Sequence, residues 1–407
     1  MNKLIRVLVL VLLISNISLA QENQPTKWRG ANGNGVYPDK NLLNSWPENG
    51  PEILWNVDFV GVGHSSPAFA NGKIYVTGMT GVDDGTLFVL SEKGELIKQI
   101  NYGKEWSDNY PGVRSTPTIV GNLIYLYSSH GDFVCLDESK NYEVVWKLNV
   151  FEDFDGVNNK WGVTETPVVE DDKIYISPGG KTDNVVALNR FTGEKIWSCA
   201  GKGNVSAYCT PLLIDLPDRK ILVTMMSDNV LGIDRESGKL LWAHPNPNKY
   251  SVHANTPLYQ DGKLFYSSGY GKGSGQLKIS DDGSEIEELW YIEDMDNRMG
   301  GLVLIDGYIY SSGQNNREWK AINWENGQTS FSNKDIFKGV VIAADNKLFI
   351  YSQRGELALV NVNPEKFDLV SQTKVTHGSA QHWAHPVIHN GVLYIRHGEA
   401  LVAYKIK

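Results

Sequence analysis

Nine side chains in this sequence have the type and placement to do chemistry: His64, Arg114, Glu165, Tyr208, His253, Asn255, Arg298, His382 and His385. Each lies just upstream of a short unit that recurs along the chain and usually opens on proline, as at Pro67, Pro117, Pro167, Pro211, Pro257 and Pro386. Arg114 and Arg298 suit an anion, because a guanidinium offers a planar fork of donors. The histidines and Tyr208 suit a hydroxyl-rich ligand. His382 or His385 facing Glu165 would form an acid–base pair for sugar chemistry, since imidazole titrates near neutral pH. The alternative is a wide, water-filled opening that simply tolerates polar groups, and strand alternation turns about half of the nine away from any common centre.

Other motifs carry less. Four of the nine histidines, His377, His382, His385 and His389, fall in one tail segment, but His382 and His385 are poorly spaced for one face of a strand, so no metal site is assigned. Gly269 to Gly275 is glycine-rich and precedes no helix, which argues for a hairpin and against a phosphate loop. Asp83-Asp84-Gly85 and Asp281-Asp282-Gly283 have the form of turns, because a calcium loop needs further acids at alternating positions.

The elements that must position these residues come from an eightfold repeat. Its clearest copy runs Thr166-Pro167-Val168-Val169, Asp172-Lys173-Ile174-Tyr175-Ile176, Val185-Val186-Ala187-Leu188-Asn189 and Thr192-Gly193-Glu194-Lys195-Ile196-Trp197. Leu302 and Val341 open two degenerate copies, and successive openings lie 39 to 50 residues apart. Four short strands per unit at that period predict an all-β, eight-bladed propeller of four-stranded blades. Aromatic and β-branched runs between Gly, Asn and Asp turns supply the strands. The turn glycines Gly94, Gly193, Gly238, Gly283 and Gly327 predict tight hairpins with positive φ. Closing aromatics at Trp146, Trp197, Trp242, Trp290 and Phe331 are expected to fill the space between blades. The last unit stops at Leu401-Val402-Ala403-Tyr404 without a closing strand, whereas Asn49-Gly50-Pro51-Glu52-Ile53-Leu54-Trp55 has the layout of one. The N-terminal strand is therefore expected to complete the last blade, sealing edges that would otherwise pair with other chains. In such a ring the residues upstream of each opening converge on one mouth of the axial channel, which makes the nine residues axial candidates for ligand binding.

Residues 1–20 read as a secretory signal: Lys3 and Arg6, an apolar run from Val7 to Ile14, then small residues before cleavage near Ala20. Residues 21–48 form an N-terminal extension and 49–407 the propeller. Export to the periplasm or beyond follows, with no membrane span in the mature chain. Loss of Lys3 and Arg6 moves the formal charge from −9 to −11, which argues against nucleic acid or anionic lipid as partner. Of three cysteines, Cys135 falls in a core strand, and a Cys199–Cys209 bridge would cross a blade boundary.

The opening Trp28-Arg29-Gly30-Ala31-Asn32-Gly33-Asn34-Gly35, the Thr-Pro and Gly-Lys-Ile-Tyr strands, Ser177-Pro178-Gly179-Gly180 and the recurrent Gly…Trp endings resemble the PQQ-like (quinoprotein alcohol dehydrogenase-like) propellers over about residues 28–407. That family holds PQQ-dependent dehydrogenases and cofactor-free scaffolds, among them the propeller lipoprotein of the outer-membrane β-barrel assembly machinery. The resemblance implies PQQ and calcium as candidate cofactors, with Trp161 and Trp383 as candidates to sandwich the ring. No cofactor is assigned, because the adjacent-cysteine disulfide of the alcohol dehydrogenases and any Cys-x-x-Cys-His haem motif are missing. The expectation is an exported ligand-binding or protein-scaffold propeller. Its partner would be a small polar molecule, a carbohydrate or an envelope protein. The alternatives are a PQQ- and calcium-dependent oxidoreductase acting on an alcohol or sugar and a polysaccharide-active enzyme.

Overall fold

A computed structural model describes residues 24–407; the expected secretory signal over residues 1–20 lies outside them. Eight four-stranded antiparallel sheets follow one another around a ring. Blade 1 spans Ala68–Lys104, blade 2 Thr118–Asn149, blade 3 Val168–Cys199, blade 4 Leu212–Pro245, blade 5 Leu258–Ile292, blade 6 Val303–Asn333 and blade 7 Gly339–Lys374. Blade 8 joins the three C-terminal strands, Val387–His389, Val392–His397 and Ala400–Lys405, to the N-terminal strand Ile53–Val57. Trp55 pairs with Ala403 and Val57 with Leu401, so both chain ends close the ring as expected.

Local sequence makes each blade. The first hairpin of many blades turns on two residues of positive φ, such as Asn71-Gly72, Asp261-Gly262, Asp306-Gly307 and Asn390-Gly391. That twist matches the right-handed twist of the flanking strands. The third and fourth strands carry a bulge at one recurrent place, beside the residue that faces the closing aromatic, as at Ala187/Leu188 opposite Trp197.

Closing tryptophans dock several blades on the next. The Trp146 indole lies over the turn of blade 3, where a Cβ on Gly193 would stand 3.0 Å from the ring, and its Nε1 donates to Arg190 O at 2.9 Å. Trp55 meets Gly94 and donates to Glu92 O, and Trp197 meets Gly238 and donates to Arg235 O. Trp242 departs from the pattern: its ring covers Gly232 of its own blade. Apolar side chains from adjacent blades fill the remaining space, as where Tyr75, Leu87 and Val89 of blade 1 cluster with Ile124, Leu126 and Val134 of blade 2.

A second belt runs round the axis. The residue before the opening Pro is often Ser or Thr, and its hydroxyl bonds the neighbouring blade. Ser66 N donates to Thr116 Oγ1, Thr116 N to Thr166 Oγ1 and Thr166 N to Thr210 Oγ1, at 3.0 to 3.3 Å. Ser66 Oγ donates to His385 O across the closure. The repeated Thr-Pro is thus a blade-to-blade clamp.

The N-terminal extension packs across the ring. Thr26 pairs with Ile119 of blade 2, while Val36 and Tyr37 pair with Ala343 of blade 7. Between them Arg29 is buried, donating to the carbonyls of Gly300 and Leu302 and to His385 Nδ1. All three cysteines are buried and free; the Cys199–Cys209 bridge does not form.

Candidate functional site

Where the innermost strands begin, they surround a pocket of about 430 Å3 on the axis. Its position in the repeat is specific. The residue three places before each opening lines the wall in seven blades: His64, Arg114, Thr164, Tyr208, Ala254, Met299 and Trp383. The residue two places before turns into the blade, as Ser65, Ser115, Glu165, Cys209 and Asn255 do, each almost fully buried. Strand alternation decides which side chains a ligand would meet.

Of the nine sequence candidates, His64, Arg114, Tyr208, Arg298 and His385 line the pocket. The other four do not. Glu165 lies behind the wall with Oε1 accepting from Ser177 N at 2.8 Å. His253 is wedged between Ser227 O and Ser268 Oγ, and Asn255 donates to the carbonyls of Ser267 and Asn297. His382 stacks on His397 at 3.8 Å. The pairing of His382 or His385 with Glu165 therefore fails, because Glu165 and His382 both point away from the space that His385 faces.

The remaining wall comes from loops and from the extension. Trp28 packs edge-on against His385, with ring centroids 4.8 Å apart, and lines both this pocket and a small cavity of about 60 Å3 on its other side. Trp28 thus separates the two cavities. Tyr110, Trp161, Tyr250 and Tyr270 complete an aromatic wall. Of these four, the sequence singles out only Trp161; the tyrosines sit on irregular loops, and Trp28 comes from the N-terminal extension.

Two cations face the pocket and no carboxylate does. Arg298 lies 5.8 Å from the centroids of Tyr270 and Trp383, contacts Tyr270 Oη and Met299 Sδ, and has no ion-pair partner among the described residues. Arg114 donates to Gly112 O and Tyr110 O, holding its own loop. Burial pushes the Arg114 guanidinium down to about 10, so it stays charged at neutral pH; nearby Glu105 acts in the opposite direction. Burial raises the Glu105 carboxyl itself, and that carboxyl is held by Tyr102 and Ser129.

Neither pocket histidine serves as a proton donor near neutral pH. Burial, then the Arg114 and Arg396 charges, push His64 down to about 3. Both His64 ring nitrogens and the Tyr208 hydroxyl are buried without a protein partner. His385 is lowered by burial and by Arg29. Because Arg29 donates to Nδ1, the His385 proton stays on Nε2 and points to Met299 O at 2.9 Å.

The residue set does not fit the calcium–quinone centre that the resemblance implied. Calcium takes six to eight hard oxygens, yet no acid reaches the pocket. No group of three or more His, Cys, Asp or Glu among the described residues is placed to hold a metal. Burial pushes the Glu165 carboxyl up to about 8, leaving it largely neutral at pH 7. Trp161 and Trp383 do line the pocket.

A family model described as outer membrane protein assembly factor BamB matches residues 103–333, more than half of the chain. BamB of Salmonella typhimurium is 24% identical over 215 residues, covering 50% of this chain and 47% of that protein. The uncharacterized protein RC0314 of Rickettsia conorii is 24% identical over 260 residues, covering 59% and 55%. The chain thus spans about half the length of the curated relatives it matches. Among solved structures, BamB from Moraxella catarrhalis superposes with a TM-score of 0.62 at 13% identity, over 88% of this chain and 100% of that one. Quinohemoprotein alcohol dehydrogenase from Comamonas testosteroni gives 0.63 at 11%, over 87% and 76%. Such identities establish a shared fold. Among the described residues no helix is long and apolar enough to cross a membrane.

Proposed function

Because the chain belongs to the outer membrane protein assembly factor BamB family of PQQ-like propellers, we propose that it is an exported, non-catalytic binding propeller. Its axial pocket would capture a small anionic ring, with an acidic sugar as the best chemical match. One observation carries this: the pocket wall combines aromatic side chains with Arg114 and Arg298 and contains no carboxylate. Aromatic faces suit the C–H face of a pyranose, and guanidinium groups suit its carboxylate. The unpartnered His64 nitrogens and Tyr208 hydroxyl are the polar groups that ring hydroxyls would satisfy.

Thermal unfolding of the purified chain with glucuronate, galacturonate, glucose, and PQQ with calcium tests the assignment. Ligand that binds only the folded state raises the melting temperature, by an amount equivalent to about 2.7 kcal/mol at a hundredfold excess over Kd. The expected result is a shift with the uronates that is larger than with glucose and is lost in Arg298→Ala. A charged hydrogen bond of about 1.5 to 3 kcal/mol corresponds to a tenfold or greater loss of affinity. Equal shifts with glucose and the uronates, or no shift with either, would refute the assignment. PQQ-dependent dye reduction would replace it with the dehydrogenase alternative.

Family membership favours a second reading, a scaffold for envelope proteins. Stoichiometric co-purification with an outer-membrane protein, unaffected by Arg298→Ala, would support it.

A further inference from the structure

A second cationic site adjoins the pocket on the seam between blades 6 and 7. Phe337, in the connection between these blades, is surrounded by positive charge. Arg354 Cζ lies 4.0 Å from its ring centroid, Arg317 Cζ 5.4 Å and Lys338 Nζ 5.9 Å. Arg317, Phe337 and Arg354 line a cleft of about 390 Å3.

The acids close to this cleft are already engaged. Glu318 pairs with Lys320 and Lys334 and accepts from Ser332. Glu356 accepts from Ser352 Oγ and Phe337 N. Asp296 is buried, and its oxygens accept the backbone N–H groups of Gly271, Gln314 and Asn315. Among the described residues Arg317, Lys338 and Arg354 consequently have no ion-pair partner. Cation–π contact with one phenyl ring is a weak attraction, and it does not neutralise like charges held together. Such a cluster in a protein of net charge −9 is no by-product of a basic surface.

The cleft is also built. Arg317 is held at a φ of 59°, while the Asn316 side chain donates to Asp294 O and accepts from Glu318 N. Lys338 Nζ donates to Gln314 O at 3.0 Å, and burial and the neighbouring Arg298 and Arg317 charges push its ammonium down to about 8. The cleft connects to the pocket wall. Gln353, next to Arg354, bonds Met299 Sδ at 3.0 Å, and Arg298 contacts the same sulfur.

We propose that this cleft is an oxyanion site for a further acidic group of an acidic oligosaccharide whose end sugar occupies the axial pocket, an inference that rests on the pocket assignment above. Paired guanidinium groups bind carboxylate or sulfate bidentately. The aromatic pocket next door favours a saccharide over an acidic peptide.

Calorimetric titration of the full chain with galacturonate, with oligogalacturonates of increasing length and with inorganic sulfate tests it. The Arg317→Ala/Arg354→Ala double variant changes exposed side chains, and its thermal unfolding checks that it folds. It should bind the longer oligomers about tenfold or more weakly than the parent, with a flatter salt dependence, and bind the monomer unchanged. Arg298→Ala should weaken monomer and oligomer alike. Unchanged oligomer affinity in the folded double variant would overturn the cleft assignment. Polyglutamate binding as tightly as the oligomers would overturn the saccharide as its ligand. If the parent binds no monomer but loses sulfate and oligomer binding in the double variant, the cleft stands and the pocket assignment fails.

Discussion

Replacing Glu165 by Gln should flatten the dependence of stability on pH above neutrality. The carboxyl lies behind the pocket wall, 1% exposed, with Oε1 on Ser177 N and Oε2 without a partner. Burial raises its pKa from 4.5 to about 8. Between those values the folded protein holds a proton that the unfolded chain has released, so stability falls as pH rises. The contribution is full below about 4.5 and is lost through about 8. At about 1.36 kcal/mol per pH unit the whole window corresponds to about 5 kcal/mol, of which about 3 kcal/mol falls between pH 6 and 9. Glutamine keeps the acceptor for Ser177 and cannot ionise. Guanidinium unfolding of both proteins from pH 6 to 9 should show the variant gaining about 3 kcal/mol relative to the parent. Other buried acids, Glu105 among them, contribute equally to both curves. Parallel curves would refute the reasoning: Glu165 would then be ionised in the folded protein behind the pocket wall.

Two further predictions concern the ring. Trp146→Ala removes an indole that docks blade 2 on the Gly193 turn and donates to Arg190 O; it should cost about 3 to 5 kcal/mol in denaturant unfolding. A chain begun at Asp58 lacks the strand Ile53–Val57 that covers Leu401–Tyr404, together with the Arg29 plug. It should elute as aggregates on gel filtration, and a monomer with the parent's melting temperature would contradict closure by the N terminus.

Fold was legible because the repeat states its rules eight times. Turn residues of positive φ, apolar alternation and a closing aromatic recur at the same offsets, so even the split blade could be recognised from a strand missing at one end and spare at the other. The opening Thr-Pro was visible too, although its use as a hydroxyl clamp between Ser66, Thr116, Thr166 and Thr210 needed the distances.

The site was legible only by neighbourhood. Sequence placed Arg114, Glu165, Tyr208 and Asn255 together as residues upstream of an opening. A shift of one residue separates Tyr208 in the pocket from Cys209 in the core, and Thr164 from Glu165, because successive strand side chains face opposite sides. Loop tyrosines obey no period, and Trp28 reaches the axis only because the extension crosses the ring from blade 2 to blade 7. The sequence by itself therefore determined the ring, its blade count and the end where polar residues gather, since these depend on local spacing repeated along the chain. Tertiary structure alone decided the pocket wall, the burial of Glu165 behind it and the unpaired cations around Phe337, since burial and charge pairing depend on residues distant in the chain.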